Sequence, residues 1–65
     1  MKHRAENAKL KGARSDSGKT QAQIAREVGV TARAYQYYES GERIPGVNTA
    51  LSIARALGCS VEDLF

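Results

Sequence analysis

The side chains best suited to chemistry in this chain form a short polar row between residues 32 and 40. Arg33 can donate two parallel hydrogen bonds to O6 and N7 of a guanine, and Gln36 can pair in the same way with an adenine. Ala32 carries a methyl group that suits contact with the methyl of a thymine. These residue types at helical spacing indicate a surface that reads base edges, and Tyr37 and Ser40 extend the same row.

Catalytic and metal-binding chemistry have little support in the sequence. The single histidine, His3, lies in a predicted flexible tail of residues 1–5, and the single cysteine, Cys59, has no disulfide partner. Nucleophilic catalysis needs a positioned base, and a zinc site needs several Cys or His ligands at fixed spacing. We therefore expect no enzyme activity, no cofactor, no metal and no small-molecule ligand.

Two short helices are predicted to position the polar row. Thr20 and Gln23 have the spacing of a capping box at the start of the first helix, and Gly29 suits the left-handed conformation that ends it. Thr31 is the N-cap candidate of the second helix, which a later glycine ends. The pair, over about residues 20–41, predicts a helix-turn-helix, in which the second helix enters the major groove of DNA.

Phosphate contacts are predicted around this pair. Gln21 lies at the start of the first of the two helices, where free amide hydrogens and the helix dipole favour an anion. The formal net charge is +3, and residues 1–19 contain six Lys or Arg against two acidic residues. Such a basic end favours DNA phosphates, although a solvated charged face is the alternative for any one lysine. The candidates for added phosphate contacts are Lys9, Lys11, Lys19 and Arg43.

Several spaced motifs carry a family resemblance. The segments LKGAR, SGKTQAQIAREVGVT, YYESGERIPG and ALSIARALGCSVEDLF occur in this order between about residues 7 and 65. Together they resemble the XRE-type regulators related to phage repressor and Cro proteins. The sequence departs from that pattern at Ala32, where relatives often have a hydrogen-bonding side chain, and at Tyr35 and Tyr38, where branched aliphatic residues are usual.

The resemblance implies an all-α fold, a compact five-helix bundle in which the second and third helices contact DNA. It also implies that Arg14 and Glu39 form an ion pair between the first and third helices, that Gln21 contacts a phosphate, and that residues 32, 33, 36 and 37 face the bases. Arg14 is therefore assigned to structure. The predicted DNA-binding residues are Gln21, Thr31, Ala32, Arg33, Gln36, Tyr37, Ser40 and Arg43.

Length and hydropathy predict one intracellular domain. The 65 residues fit a single helix-turn-helix domain, and no segment has the roughly 20 apolar residues that span a bilayer or the apolar run of a signal peptide. We expect a cytoplasmic protein with no membrane association. The predicted core consists of Leu10, Ala13, Ile24, Val28, Tyr35, Tyr38, Ile44, Val47, Leu51, Ala54, Leu57, Val61, Leu64 and Phe65.

The leading hypothesis is a sequence-specific regulator that binds double-stranded DNA and acts as a repressor. The sequence leaves open a homodimer, for which Phe65 is either a cover of the core or part of a subunit interface. The alternative is a protein-interaction module, or an antitoxin component with the same fold, with Tyr35, Tyr37 and Tyr38 as an aromatic contact patch.

Overall fold

A computed structural model describes residues 6–65 of the chain. These residues form five α-helices and no strand. The predicted flexible tail of residues 1–5, with His3, lies outside the described residues. The helices are α1 (Ala8–Ser17), α2 (Gln21–Val28), α3 (Ala32–Ser40), α4 (Val47–Leu57) and α5 (Val61–Leu64). The predicted all-α bundle is thereby confirmed. No helix within residues 6–65 has the length and apolar content to cross a lipid bilayer.

The helix-turn-helix begins and ends at its predicted signals. The Oγ1 atom of Thr20 accepts a 3.1 Å hydrogen bond from the backbone N–H of Gln23, whose Oε1 accepts one of 2.7 Å from the N–H of Thr20. Gly29 ends α2 with a φ of 81°, a conformation that side chains disfavour. Thr31 caps α3 through a 3.0 Å hydrogen bond from Ala34. Local sequence therefore sets both ends of the three-residue turn between α2 and α3.

The core contains one large, fully buried side chain from each helix. These residues are Leu10, Ile24, Tyr35, Ile53 and Leu64. The smaller Ala25 and Ala54 fill the space between them, and α2 packs against both α3 and α4. Every helix contributes to one cluster. Truncating any of these buried side chains therefore weakens the packing that holds α3 in place.

Four predicted core residues, Phe65 among them, lie on the surface, so their assignment to the core was wrong. Ile44 is 84% exposed, Val47 is 77% exposed and Leu51 is 41% exposed. The buried side of α4 is formed instead by Ala50, Ile53 and Ala54, which follow the i, i+3, i+4 spacing of a single helix face. Ile53 was missing from the predicted core.

Because α4 buries the face with Ala50 and Ile53, Val47 and Leu51 point outward. They form part of an exposed apolar patch, which consists of Ile44, Val47, Leu51 and Phe65. Phe65 is 39% exposed and is not among the side chains packed against the core cluster. The four residues line one open groove together with Pro45, Ala50 and Val61. Of the groove residues, Ile44 is the one nearest to α3 in the chain, four residues after Ser40.

Candidate nucleic-acid interface

Three predicted base-contacting residues are exposed on the first half of α3. Ala32, Arg33 and Gln36 all lie on its solvent-facing side, and neither polar side chain has a hydrogen bond to another residue within the described range 6–65. Their donors and acceptors are therefore available to base edges. Thr31 is also exposed, but its hydroxyl oxygen already accepts the Ala34 N–H, so its first role in the free chain is to cap α3.

A second cluster of predicted DNA-binding residues lies at the end of α3. The loop that follows this helix folds back onto it. The Arg43 guanidinium carbon lies 5.0 Å from the centre of the Tyr37 ring, within cation–π range. The backbone N–H of Arg43 donates a 3.2 Å hydrogen bond to the Tyr37 carbonyl. The Ser40 hydroxyl lies 3.1 Å from that carbonyl and 2.9 Å from Oε1 of Glu42. Tyr37, Ser40 and Arg43 are thus brought together, with Ser40 engaged in closing the loop.

Gln21 lies at the start of α2, as predicted, but its side chain has a partner within the protein. Its Nε2 donates a 2.9 Å hydrogen bond to Oε1 of Glu39, a residue of α3 that is only 3% exposed. The Arg14 Nε donates to the other carboxylate oxygen at 2.5 Å, which forms the ion pair implied by the resemblance. The Arg14 Nη1 donates at 2.9 Å to the carbonyl of Lys19. The network joins α1, α2 and α3.

The electrostatics of Glu39 favour its charged form. Burial by itself raises the pKa of a carboxyl group, but hydrogen bonds donated to the carboxylate by Arg14 and Gln21 outweigh it. The net effect lowers the pKa of Glu39 below its ordinary value of 4.5. A buried carboxylate is therefore held as an anion in the middle of the interface scaffold.

The Tyr35 hydroxyl is a buried polar atom next to this network. Within the described residues it has no hydrogen-bond partner, although it lies close enough to Arg14 and Glu39 to sense their charges. Burial raises the pKa of Tyr35 well above its usual range. The hydroxyl stays neutral and represents a small unfavourable contribution to folding.

Two of the lysines predicted to contact phosphates have partners within the protein. The Lys19 ammonium has two internal partners, Oε1 of Glu27 at 3.0 Å and the carbonyl of Ala56 at 3.3 Å. Lys11 pairs at 3.1 Å with Glu6 on the exposed surface. Lys19 thus contacts one of the last carbonyls of α4, where a cation is favourable, rather than standing free for DNA.

The aromatic patch proposed as an alternative contact surface is not formed by the three tyrosines. Tyr35 is fully buried, and Tyr38 packs against it edge to face with the ring centres 6.4 Å apart. Tyr37 is half-buried beside Arg43. The described residues also contain no group of three or more His, Cys, Asp or Glu side chains placed to hold a metal ion.

Asn7 is a structural residue that the sequence reasoning missed. Its Oδ1 accepts the N–H of Leu10 at 3.0 Å and caps α1, while its Nδ2 donates at 2.8 Å to the carbonyl of Leu64. Its backbone N–H donates at 2.8 Å to the carbonyl of Glu39. An asparagine just before a helical segment is the signal that identifies the cap, but nothing local identifies the other two bonds.

Comparison with known sequences shows a match to a family model. A model described as Helix-turn-helix matches residues 10–64. The chain is 41% identical over 56 residues to the cryptic phage CTXphi transcriptional repressor RstR of Vibrio cholerae, a match that covers 86% of this chain and 50% of the repressor. The present chain thus spans about half the length of that relative.

Solved structures share the architecture. The DNA-binding domain of the P22 C2 repressor has a TM-score of 0.84 and 26% identity, over 98% of this chain and 84% of that domain. The restriction-modification controller protein C.AhdI of Aeromonas hydrophila has a TM-score of 0.83 and 25% identity, over 91% of this chain and 89% of the controller. The predicted likeness to phage repressor DNA-binding domains is confirmed.

Proposed function

This chain belongs to the helix-turn-helix family, and from that membership we propose that it is a non-enzymatic, DNA-binding transcriptional regulator that represses by occupying an operator. Its similarity to a phage transcriptional repressor supports the direction of control. Residues 1–65 act as one DNA-binding domain in the cytoplasm, and double-stranded DNA is the partner.

The observation that carries this proposal is the free, polar N-terminal half of α3. Ala32, Arg33 and Gln36 lie exposed on the helix that corresponds to the recognition helix, with α2 packed behind it. In this arrangement Arg33 donates to a guanine, Gln36 pairs with an adenine and Ala32 contacts a thymine methyl. Gln21 and Arg43 contact the phosphates on either side, and Thr31, Tyr37 and Ser40 complete the interface.

Selection from a random pool of duplex DNA tests the proposal. The unsubstituted chain should enrich one motif, and Arg33→Ala should lose that enrichment while keeping its helical circular dichroism. Arg55→Ala is the matched control, because it removes one exposed positive charge from α4 and leaves α3 unchanged. Enrichment that survives Arg33→Ala, or disappears equally in Arg55→Ala, would contradict base recognition by α3.

The same proposal includes a homodimer on a two-fold symmetric operator. Two recognition helices contact half-sites about 34 Å apart when the subunits pair symmetrically. The apolar patch provides a surface for a second copy, since Ile44, Val47 and Leu51 are exposed and line one groove. A patch shared by both subunits can pair with itself about a two-fold axis.

Sedimentation equilibrium tests the dimer independently of DNA. The unsubstituted chain should show concentration-dependent association, which Leu51→Asp should abolish. Ala22→Asp, which adds the same negative charge at an exposed position of α2 away from the groove, is the control and should leave association intact. A chain that stays monomeric at all concentrations and on its selected DNA would contradict the dimer while leaving DNA recognition by one copy standing.

A further inference from the structure

The buried carboxylate of Glu39 restricts the orientation of the Gln21 side chain. An ionised carboxylate only accepts hydrogen bonds, so the Gln21 amide must direct its nitrogen, not its oxygen, at Oε1 of Glu39. The second oxygen is occupied by Arg14, which prevents the carboxylate from turning away. Gln21 therefore has one amide hydrogen fixed on Glu39 and a second amide hydrogen left to donate.

A DNA phosphate needs a donor of this kind. Its oxygens only accept hydrogen bonds, and a free glutamine side chain presents its carbonyl as readily as its amide nitrogen. Gln21 is also the first residue of α2, where the backbone N–H groups of the opening turn have no partner within the helix. The fixed side chain and the helix end thus offer donors to the same anion.

From this geometry we infer that Glu39 is a positioning residue for DNA binding, which holds Gln21 in the orientation that donates to a backbone phosphate. The inference rests on the proposed function. Glu39 is only 3% exposed and lies on α3, the helix that carries Arg33 and Gln36. The phosphate contact of α2 is consequently placed by the same rigid helix that carries the base contacts, which fixes the distance between the two.

Arg14 extends this control to the loop before α2. Its Nη1 bond to the carbonyl of Lys19 holds the residue that precedes the Thr20 cap. When Glu39→Gln leaves a single side-chain oxygen, the charged guanidinium competes for it most strongly, and the new amide nitrogen faces Gln21. Two donors then face each other, so the Gln21 side chain must turn and lose its fixed orientation.

A double-mutant cycle on DNA affinity tests the inference. For the selected sequence, Gln21→Ala should weaken binding of the otherwise unsubstituted chain about tenfold, the loss of one hydrogen bond to a charged group. Glu39→Gln should weaken it about three- to tenfold, since a free side chain must then be ordered on binding. In the Glu39→Gln background, Gln21→Ala should cost no more than about twofold, because the contact is already impaired.

Tyr35→Phe is the matched control for this cycle. It alters a side chain beside Arg14 and Glu39 but leaves in place the bonds that Arg14 and Gln21 donate to Glu39. Gln21→Ala should retain its full effect of about tenfold in that background. Equal effects of Gln21→Ala with and without Glu39 would overturn the inference, because a merely structural carboxylate lowers the folded fraction without changing the dependence on Gln21.

Two further outcomes separate the inference from the proposed function. Additive losses in a chain that binds its selected DNA would overturn the inference alone, whereas no DNA binding by the unsubstituted chain would overturn both. If Glu39→Gln does not fold, NMR of the unsubstituted chain decides: slow exchange of one Gln21 side-chain amide hydrogen supports the positioning. Rapid exchange of both hydrogens would overturn it.

Discussion

The side-chain amide of Asn7 donates a 2.8 Å hydrogen bond to the carbonyl of Leu64, 57 positions later in the chain. The same side chain caps α1 through the N–H of Leu10. One residue thus joins the first helix to the last, near the backbone bond from Asn7 to Glu39. Asn7 therefore supports α3 through its bond to Glu39, although the two residues are 32 positions apart in the chain.

Asn7→Ala should lower the free energy of unfolding by about 1–2 kcal/mol, through loss of the cap and of the bond to Leu64. Thermal denaturation followed by circular dichroism measures the change. Asn7→Ser is the informative comparison, because serine still caps α1 but is too short to reach Leu64. We expect it to recover part of the stability, and full recovery would show that the bond to Leu64 contributes nothing.

Tyr35→Phe should raise the free energy of unfolding by about 1 kcal/mol. The substitution removes a buried hydroxyl that has no hydrogen-bond partner among the described residues and keeps the ring that fills the core. Chemical denaturation at neutral pH measures the difference. A loss of stability instead would show that the hydroxyl has a partner, such as an ordered water molecule.

The free energy of unfolding should decrease at acidic pH, because Glu39 becomes protonated. Its pKa is lowered in the folded chain, so the stabilisation is present above the ordinary glutamate pKa of 4.5 and is lost as the pH falls through the lower, folded value. Arg14 stays charged throughout, and Tyr35 stays neutral. The advantage of the unsubstituted chain over Glu39→Gln should therefore be constant between pH 6 and 8, about 2 kcal/mol, and should shrink below about pH 4.5. A difference that is the same at pH 3 and pH 7 would be inconsistent with a lowered pKa.

Arg43 and Lys19 should differ in their effect on the salt dependence of DNA binding. The binding constant K falls as salt rises, and Arg43→Ala should make this negative slope of log K against log salt shallower by about 0.9. That is the value for one lost phosphate contact. Lys19→Met removes the same charge but should leave the slope unchanged, since its ammonium contacts Glu27 and the end of α4. Its main effect should be a loss of stability of about 1 kcal/mol. Fluorescence anisotropy titrations over a range of salt concentrations give both slopes, and a reduced slope for Lys19→Met would assign that lysine to DNA.

The sequence predicts the helix-turn-helix well because its signals are local. Thr20, Gln23, Gly29 and Thr31 act on backbone groups within a few residues, so their types and spacing suffice. The exposure of Arg33 follows from the same helix, since the phase of α3 is set by the buried Tyr35 two residues later.

Which face of α4 is buried could not be predicted in the same way. Apolar residues occur around much of this helix, so Val47 and Leu51 fit a buried stripe as well as Ala50 and Ile53 do by spacing alone. The helices packed against α4 decide which stripe is buried, and they come from distant parts of the chain. The apolar patch is the consequence.

Apart from the Arg14–Glu39 pair implied by the family resemblance, contacts between residues distant in the chain were not predicted from the sequence. Gln21 and Glu39 are 18 positions apart, and Lys19 lies 37 positions before the carbonyl that it contacts. Such bonds depend on how two helices pack and on the rotamers of long side chains, neither of which leaves a periodic signal. The positions of Gln21 and Lys19 were predictable, but their partners were not.

The free side chains of α3 also affect how such a protein diversifies. Ala32, Arg33 and Gln36 lie outside the core cluster, and within residues 6–65 the two polar ones make no side-chain hydrogen bond that the fold depends on. Under the proposed function, exchanges at these three positions therefore alter the preferred operator without first requiring a compensating stabilising mutation. Tyr37 and Ser40, which hold the loop after α3, lack this freedom. New operator preferences should accordingly arise first at the beginning of the helix.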